Sequence, residues 1–167
     1  MSSSRGLSFI MKRANFLAKL YKKETIQIVE PSEDIAGSYL VKSESNLVSA
    51  KILLQNNKLE ESVGLAYYSM YHALTALLFK VGIKCGNHAA SIILLKKLFG
   101  IDNTDISLAK SERVDKQYYV DFHITKAEVE ETIKTSEQFN RKLLDFISKL
   151  NKQSIAAFRI KFKDLLE

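Results

Sequence analysis

Four side chains suited to proton exchange or anion contact crowd into six positions of one helical stretch: Tyr67, Tyr68, Tyr71 and His72. The surrounding pattern, Leu59 to Val81, is apolar on nearly every face, with Val63, Ala66, Met70, Ala73, Leu74, Leu77 and Leu78. A helix that is apolar all round belongs at the centre of a bundle. Buried phenols and imidazoles need a hydrogen-bond partner or an aqueous edge. The stretch is therefore either the polar-spotted centre of a core or the wall of a site. His72 has the same two readings, a core histidine bonded to a neighbouring hydroxyl or a member of a polar cleft. His88 follows Asn87 at the start of another helical pattern. A helix N-terminus favours anions, so His88 is a candidate phosphate contact as well as a loop-ordering residue. Cys85-Gly86-Asn87-His88 has ligand-like spacing, but no second pair completes four metal ligands. No metal site and no cofactor are expected. Cys85 has no identifiable paired base. Gly-rich phosphate loops, a Ser-His-Asp order and paired-carboxylate motifs are absent from the sequence.

The elements that must position these residues are helical. The chain has 167 residues, enough for one domain with a real core. A single proline and six glycines leave room for long helices, and one cysteine rules out an intramolecular disulfide. A reducing, cytoplasmic setting is the expectation. No apolar run reaches the length of a membrane span, and the Ser-rich start lacks the apolar stretch of a signal peptide. The net charge of +6 is uneven. Residues 1–30 hold six Lys/Arg against two Glu, and residues 149–167 hold five against two acids; residues 31–148 hold 14 against 15. A near-neutral centre with basic ends suits contact with RNA, DNA or acidic surfaces, or simply solvates the ends.

Gly6 to Lys23 predicts an amphipathic helix through Phe9, Ile10, Phe16, Leu17 and Leu20. Thr25 to Val29 reads as an extended connector. Pro31-Ser32-Glu33-Asp34 starts a helix that runs to about Asn56. Asn57-Lys58-Leu59-Glu60 has capping-box spacing for the central helix, which Gly82 should end. Ile83 to Gly86 reads as a loop. Asn87 caps a helix that Gly100 stops, and Asn103 or Thr104 opens another to about Tyr119. Val120 to Ile124 reads as extended. Thr125-Lys126-Ala127-Glu128 is a second capping box, and Glu128, Glu130 and Glu131 suit a helix start facing solvent. The tail from Gln153 repeats apolar residues at helical spacing and should dock. The expected fold is all-α, an up-and-down antiparallel bundle of four to five main helices with an extra helix at each end. The expected divisions are a basic extension over 1–30, a bundle over 31–150 and a basic tail over 151–167.

Four pieces in order resemble the HEPN domain family (higher eukaryote and prokaryote nucleotide-binding domains), in particular its small stand-alone prokaryotic and archaeal branch. Ser38-Tyr39-Leu40 with Lys42, Leu47 and Ala50 is similar to the family's first-helix pattern. Ala66-Tyr67-Tyr68-Ser69-Met70-Tyr71-His72-Ala73 with Leu77-Leu78 is similar to its second-helix signature. Gly82 followed by His88, and Arg113 with Tyr118 before a capping box, complete the series. The resemblance implies a helical bundle that works as a homodimer, binds nucleotide or RNA, and is often partnered by a small nucleotidyltransferase in a toxin–antitoxin pair. Some members are metal-independent endoribonucleases, in which an arginine is followed after four to six residues by a histidine. RNA can be cut by its own 2′-OH if a base removes that proton, an acid protonates the leaving oxygen and a cation steadies the phosphorane. Histidine titrates in the useful range, and arginine grips phosphate bidentately.

This chain departs from that motif. After Arg113 come Val114, Asp115, Lys116, Gln117 and Tyr118, so a tyrosine stands where the shortest version has its histidine. His123 comes ten positions after Arg113. A tyrosine with an ordinary pKa near 10 is a poor base at neutral pH. Three readings follow: a phosphate-binding protein built on Arg113 with Tyr118, Tyr119, Tyr68, His72 and His88; a ribonuclease pairing Arg113 with Tyr118 or His123; and a non-catalytic interaction module. Arg113 also has a plain alternative, a salt bridge to a nearby acid.

Overall fold

The computed structural model describes residues 3–118 and 123–167; the side chains of residues 3–5, 10, 14 and 114–118 are outside that description. The chain runs α1 (Ser3–Lys22), β1 (Ile26–Ile28), α2 (Glu33–Gln55), α3 (Leu59–Lys80), β2 (Ile83–Cys85), α4 (His88–Phe99), α5 (Thr104–Tyr118), α6 (Lys126–Ser148) and α7 (Lys152–Leu166). Helices α2 to α6 form the bundle, and α1 and α7 pack at its ends against each other. The fold is all-α, as the helical spacing predicts.

The apolar-all-round helix α3 is the axis. Ala66, Tyr67, Met70, Leu74, Ala76 and Leu77 are fully buried. All of these but Ala66 meet Leu94, Leu95 and Leu98 of α4, Phe139 and Leu143 of α6, Phe162 of α7 and Leu17 of α1 in one core. A smaller cluster at the other end joins Ala50, Val63, Ala66, Val129 and Ile133. The terminal helices thus donate fully buried side chains to the bundle's own core.

Serines let α2 and α3 approach closely and hold them in register. Ser43 Oγ donates to the Ser69 carbonyl at 2.7 Å, and Ser69 Oγ donates back to the Ser43 carbonyl at 2.7 Å. Ser62 Oγ donates to the Ala50 carbonyl nearer the turn. On the α6 side, Ser136 Oγ reaches the Ala66 carbonyl and Asn140 Nδ2 reaches Ser69 Oγ. Each of these four serine hydroxyls is satisfied by a neighbouring helix, as burial requires.

The helix starts follow their caps. Ser32 accepts from the Ile35 N–H, and Asn87 Oδ1 accepts from the Ala90 N–H at 2.9 Å. Thr125 and Glu128 form the full reciprocal capping box. Gly82 and Gly100 take left-handed φ values of +79° and +68° after α3 and α4. Two expectations fail. Asn57 does not open a capping box: the residue before α3 is Lys58, with no side-chain cap, and Asn57 adopts φ +57°. Asparagine tolerates the left-handed region, so it serves the turn rather than the helix start. Ile83 to Gly86 is not merely a loop either, because Ile83–Cys85 pairs antiparallel with Ile26–Ile28. Three-residue strands are too short to alternate legibly, and their partners lie 55 to 59 residues apart in sequence. The extended stretch expected at Val120 to Ile124 lies outside the described residues except for His123 and Ile124, which belong to no regular element.

Arg159 ties α7 to this corner. Its Nη1 donates to the carbonyls of Val29, Val81 and Gly82 at 2.8, 3.0 and 3.2 Å. Lys161 donates to the Leu98 carbonyl near the end of α4. Two of the five C-terminal cations are therefore engaged in holding the tail. A Cβ on Gly82 would run into the Arg159 guanidinium and the Val29 carbonyl while forcing a left-handed φ on an L side chain. Gly82→Ala should cost about 2 kcal/mol or more, read as a lowered midpoint in urea unfolding; an unchanged midpoint would mean this corner is not under constraint.

Candidate functional site

The register of α2 on α3 brings three α2 side chains, Tyr39, Lys42 and Asn46, to the side of His72 on α3. Asn46 Nδ2 donates to His72 Nδ1 at 3.0 Å, which leaves the proton of the neutral imidazole on Nε2. Tyr39 lies 5.7 Å from His72 between ring centroids and stacks on Phe79. Lys42 Nζ stands 5.4 Å over the Tyr39 ring. His72 is half-buried with an amide as its partner, and no hydroxyl bonds it among the described residues.

The N-terminus of α4 delivers His88 to the other side of the same tyrosines. Its ring stacks on Tyr71 at 3.7 Å, and Tyr67 Oη lies 2.7 Å from His88 Nδ1. Tyr68 meets the His88 ring edge-on. From α5, the Arg113 guanidinium lies 4.6 Å from the Tyr68 centroid and 5.6 Å from that of Tyr67. Among the described residues Arg113 makes no ion pair, so the salt-bridge alternative has no partner there. Glu112, its neighbour, is turned to the Thr132 hydroxyl on α6. A cation over π-faces without a carboxylate is held in place while its N–H fork stays available.

The electrostatics are consistently cationic. His88 is held below its ordinary value first by burial, then by Arg113, Lys110 and His72. His72 is lowered by burial and then by Lys42. Both imidazoles are thus neutral at pH 7. Burial pushes the Tyr67 and Tyr71 hydroxyls up, so both keep their protons. Burial likewise raises the Cys85 thiol, which removes it as a ready thiolate. A cavity of about 310 Å³ adjoins the cluster and shares Tyr39, Lys42, Tyr71 and His72 with it. That volume sits at the small end of ligand pockets. Among the described residues, no group of three or more His, Cys, Asp and Glu could hold a metal.

Of the residues expected from the sequence, the structure brings Tyr68, His72, His88 and Arg113 together. The Tyr118 side chain and the whole of Tyr119 lie outside the described residues. His123 does not join the cleft; its neighbours are Asn57, Lys58, Glu60 and Glu61 at the start of α3. Sequence reasoning missed Lys110 and Asn46, left Tyr67 open between core and site wall, and placed Tyr39 and Lys42 only in the first-helix pattern. Their signal was helical: Tyr39, Lys42 and Asn46 follow an i, i+3, i+7 stripe.

A helical bundle whose central helix walls an aromatic, cationic cleft is the class of domain these features define. The chain belongs to the HEPN domain family, whose model matches residues 36–150. Two relatives align over 59 residues each. "UPF0332 protein PH1297" of Pyrococcus horikoshii is 44% identical there, and "Putative toxin MJ0605" of Methanocaldococcus jannaschii is 37% identical. Each alignment covers 35% of this chain and only about two-fifths of the relative, 39% and 41% respectively.

The unfolded chain protonates its histidines near the ordinary value of 6.5, whereas the folded cleft does so only at lower pH. Stability from the neutral imidazoles is therefore full above that value and is lost as pH falls through their folded values. In an NMR titration, His88 should show a midpoint below 6.5 that rises in Arg113→Gln; an unmoved midpoint would separate Arg113 from His88.

Proposed function

We propose that the cleft binds the phosphate of a nucleotide or of RNA, with Arg113 as the principal contact. The observation that carries this reading is the Arg113 guanidinium, held over Tyr68 and Tyr67 beside His88 with no carboxylate partner among the described residues. Lys110 and Lys42 add positive charge, and the half-buried rings of Tyr68 and Tyr39 add aromatic surface against which a base could pack. Tyr118 and Tyr119, a few residues beyond Arg113, are proposed to extend the same contact. The name of the Methanocaldococcus relative supports a toxin-like role. Within this reading the protein is a cytoplasmic homodimer, partnered by a small nucleotidyltransferase. Residues 31–150 are its bundle, with basic extensions at 1–30 and 151–167. No helix among the described residues is long and apolar enough to cross a membrane.

A second reading, metal-independent RNA cleavage, draws on His88. The motif position Tyr118 lacks an imidazole, but His88 supplies a neutral one beside Arg113. A neutral imidazole next to a phosphate-binding cation is the pairing that 2′-OH attack needs.

The test is incubation of the full chain with labelled tRNA and total RNA, without metal, beside folded Arg113→Ala. Binding should weaken at least tenfold in the variant and fall steeply with salt in the wild type. Equal affinity of the two proteins, or binding indifferent to salt, would favour the interaction-module reading. Cleavage that is lost in both Arg113→Ala and His88→Ala would select the enzyme; no cleavage would leave a binding protein.

A further inference from the structure

Among the described residues, Asn140 Oδ1 alone is a buried side-chain polar atom without a hydrogen-bond partner. Asn140 is 8% exposed and lines a groove of about 430 Å³ between α2 and α6. Ser69 has one hydroxyl proton, given to the Ser43 carbonyl at 2.7 Å, so its oxygen accepts from Asn140 Nδ2, also at 2.7 Å. Turning the amide over would set its oxygen against an oxygen that has no proton left to give. The orientation is therefore fixed, and Oδ1 stays an unmet acceptor. A buried acceptor left unmet is costly, and a donor arriving from the groove removes that cost.

The groove also carries one free charge of each sign. Glu44 on the α2 wall and Arg141 on the α6 wall line it, are exposed, and make no ion pair among the described residues, with each other or with anything else. Each follows directly on a member of the Ser43–Ser69–Asn140 chain, so the two charges stand near the level of the unmet oxygen, one on each wall. Glu137, one turn earlier on α6, is already paired to Lys51. The rest of the wall is apolar: Leu40 and Leu47 lie one turn to either side of Glu44, and Leu144 lies one turn beyond Arg141.

We propose that the α2–α6 groove binds a free α-amino acid with an apolar side chain. An α-ammonium brings a positive charge and three N–H donors, and Asn140 Oδ1 with the Glu44 carboxylate supplies the acceptors it needs. The α-carboxylate beside it needs a fork of donors, and the Arg141 guanidinium is one. The side chain packs on the leucines. A lone carboxylate or phosphate would face the like charge of Glu44 and leave Oδ1 unmet. A lone amine would face the like charge of Arg141. The volume falls within the range of small-molecule pockets, roughly 300–1,000 Å³. Leu40, Glu44 and Leu47 occupy a different face of α2 from Tyr39, Lys42 and Asn46, so this site is separate from the cleft and does not rest on the phosphate reading.

The test is an NMR titration of the full chain with L-leucine and L-phenylalanine, beside two probes that each lack one charge: isoamylamine, without the carboxylate, and isocaproate, without the ammonium. The side-chain NH2 signal of Asn140 reports on the site. Wild type should bind at least one of the two amino acids saturably with a shift at Asn140, and should bind each single-charge probe about tenfold more weakly or worse, the loss of one charge-assisted hydrogen bond. Glu44→Gln and Arg141→Gln sit at exposed positions, and helical circular dichroism checks their folding. Arg141→Gln should erase the preference for leucine over isoamylamine, and Glu44→Gln the preference for leucine over isocaproate. No saturable shift at Asn140 with either amino acid would overturn the site. Equal affinity for leucine and both probes, or preferences that survive in the two variants, would overturn the assignment of the charges.

Discussion

Ser43 and Ser69 each donate to the other's backbone carbonyl, and the placement of Tyr39, Lys42 and Asn46 against His72 depends on that exchange. Two helices can meet this closely only where side chains are small, and a hydroxyl buried there must find an acceptor within reach. The pair therefore acts as a latch with one register. Sliding α2 by a turn would strand two hydroxyls and carry Tyr39, Lys42 and Asn46 past His72. Asn140 locks the same point from α6 through Ser69. The register of three helices is thus fixed by a few polar contacts inside an otherwise apolar core.

The cleft that results has an unusual balance. Cations reach it from α2 and α5, while the nearby acid Glu112 is diverted to Thr132. Burial and like charge both keep His72 and His88 neutral. An incoming phosphate would change that balance by shielding the cations, so imidazole protonation and anion binding are linked. Arg113 is positioned by the faces of Tyr67 and Tyr68, with no carboxylate partner among the described residues.

The sequence made α3 legible as the central helix, because Ala, Leu and Met surround it on every face. The Ser32, Asn87 and Thr125 caps and the glycines at 82 and 100 were also readable, since each is a local contact within a few residues. What escaped was non-local. The pairing of Ile26–Ile28 with Ile83–Cys85 joins strands too short to show a period. The triple use of Arg159 on carbonyls around Gly82 cannot be inferred from a basic tail. Within the cleft, His72, His88, Tyr68 and Arg113 stood out by residue type. Asn46 did not, because an asparagine on a surface helix carries no mark of the imidazole it will meet. Asn57 misled because its spacing to Glu60 fits a capping box while its backbone closes a turn.

The most direct test of the phosphate-binding cleft is an NMR titration of the full chain with a short oligoribonucleotide, following the His88 and His72 imidazole signals and the Arg113 Nε–H. Saturable shifts at His88 and Arg113, with the His88 titration midpoint moving upward as phosphate offsets the neighbouring cations, are the result this account predicts. Shifts confined to lysines of α1 and α7, with His88 and Arg113 unmoved, would contradict it.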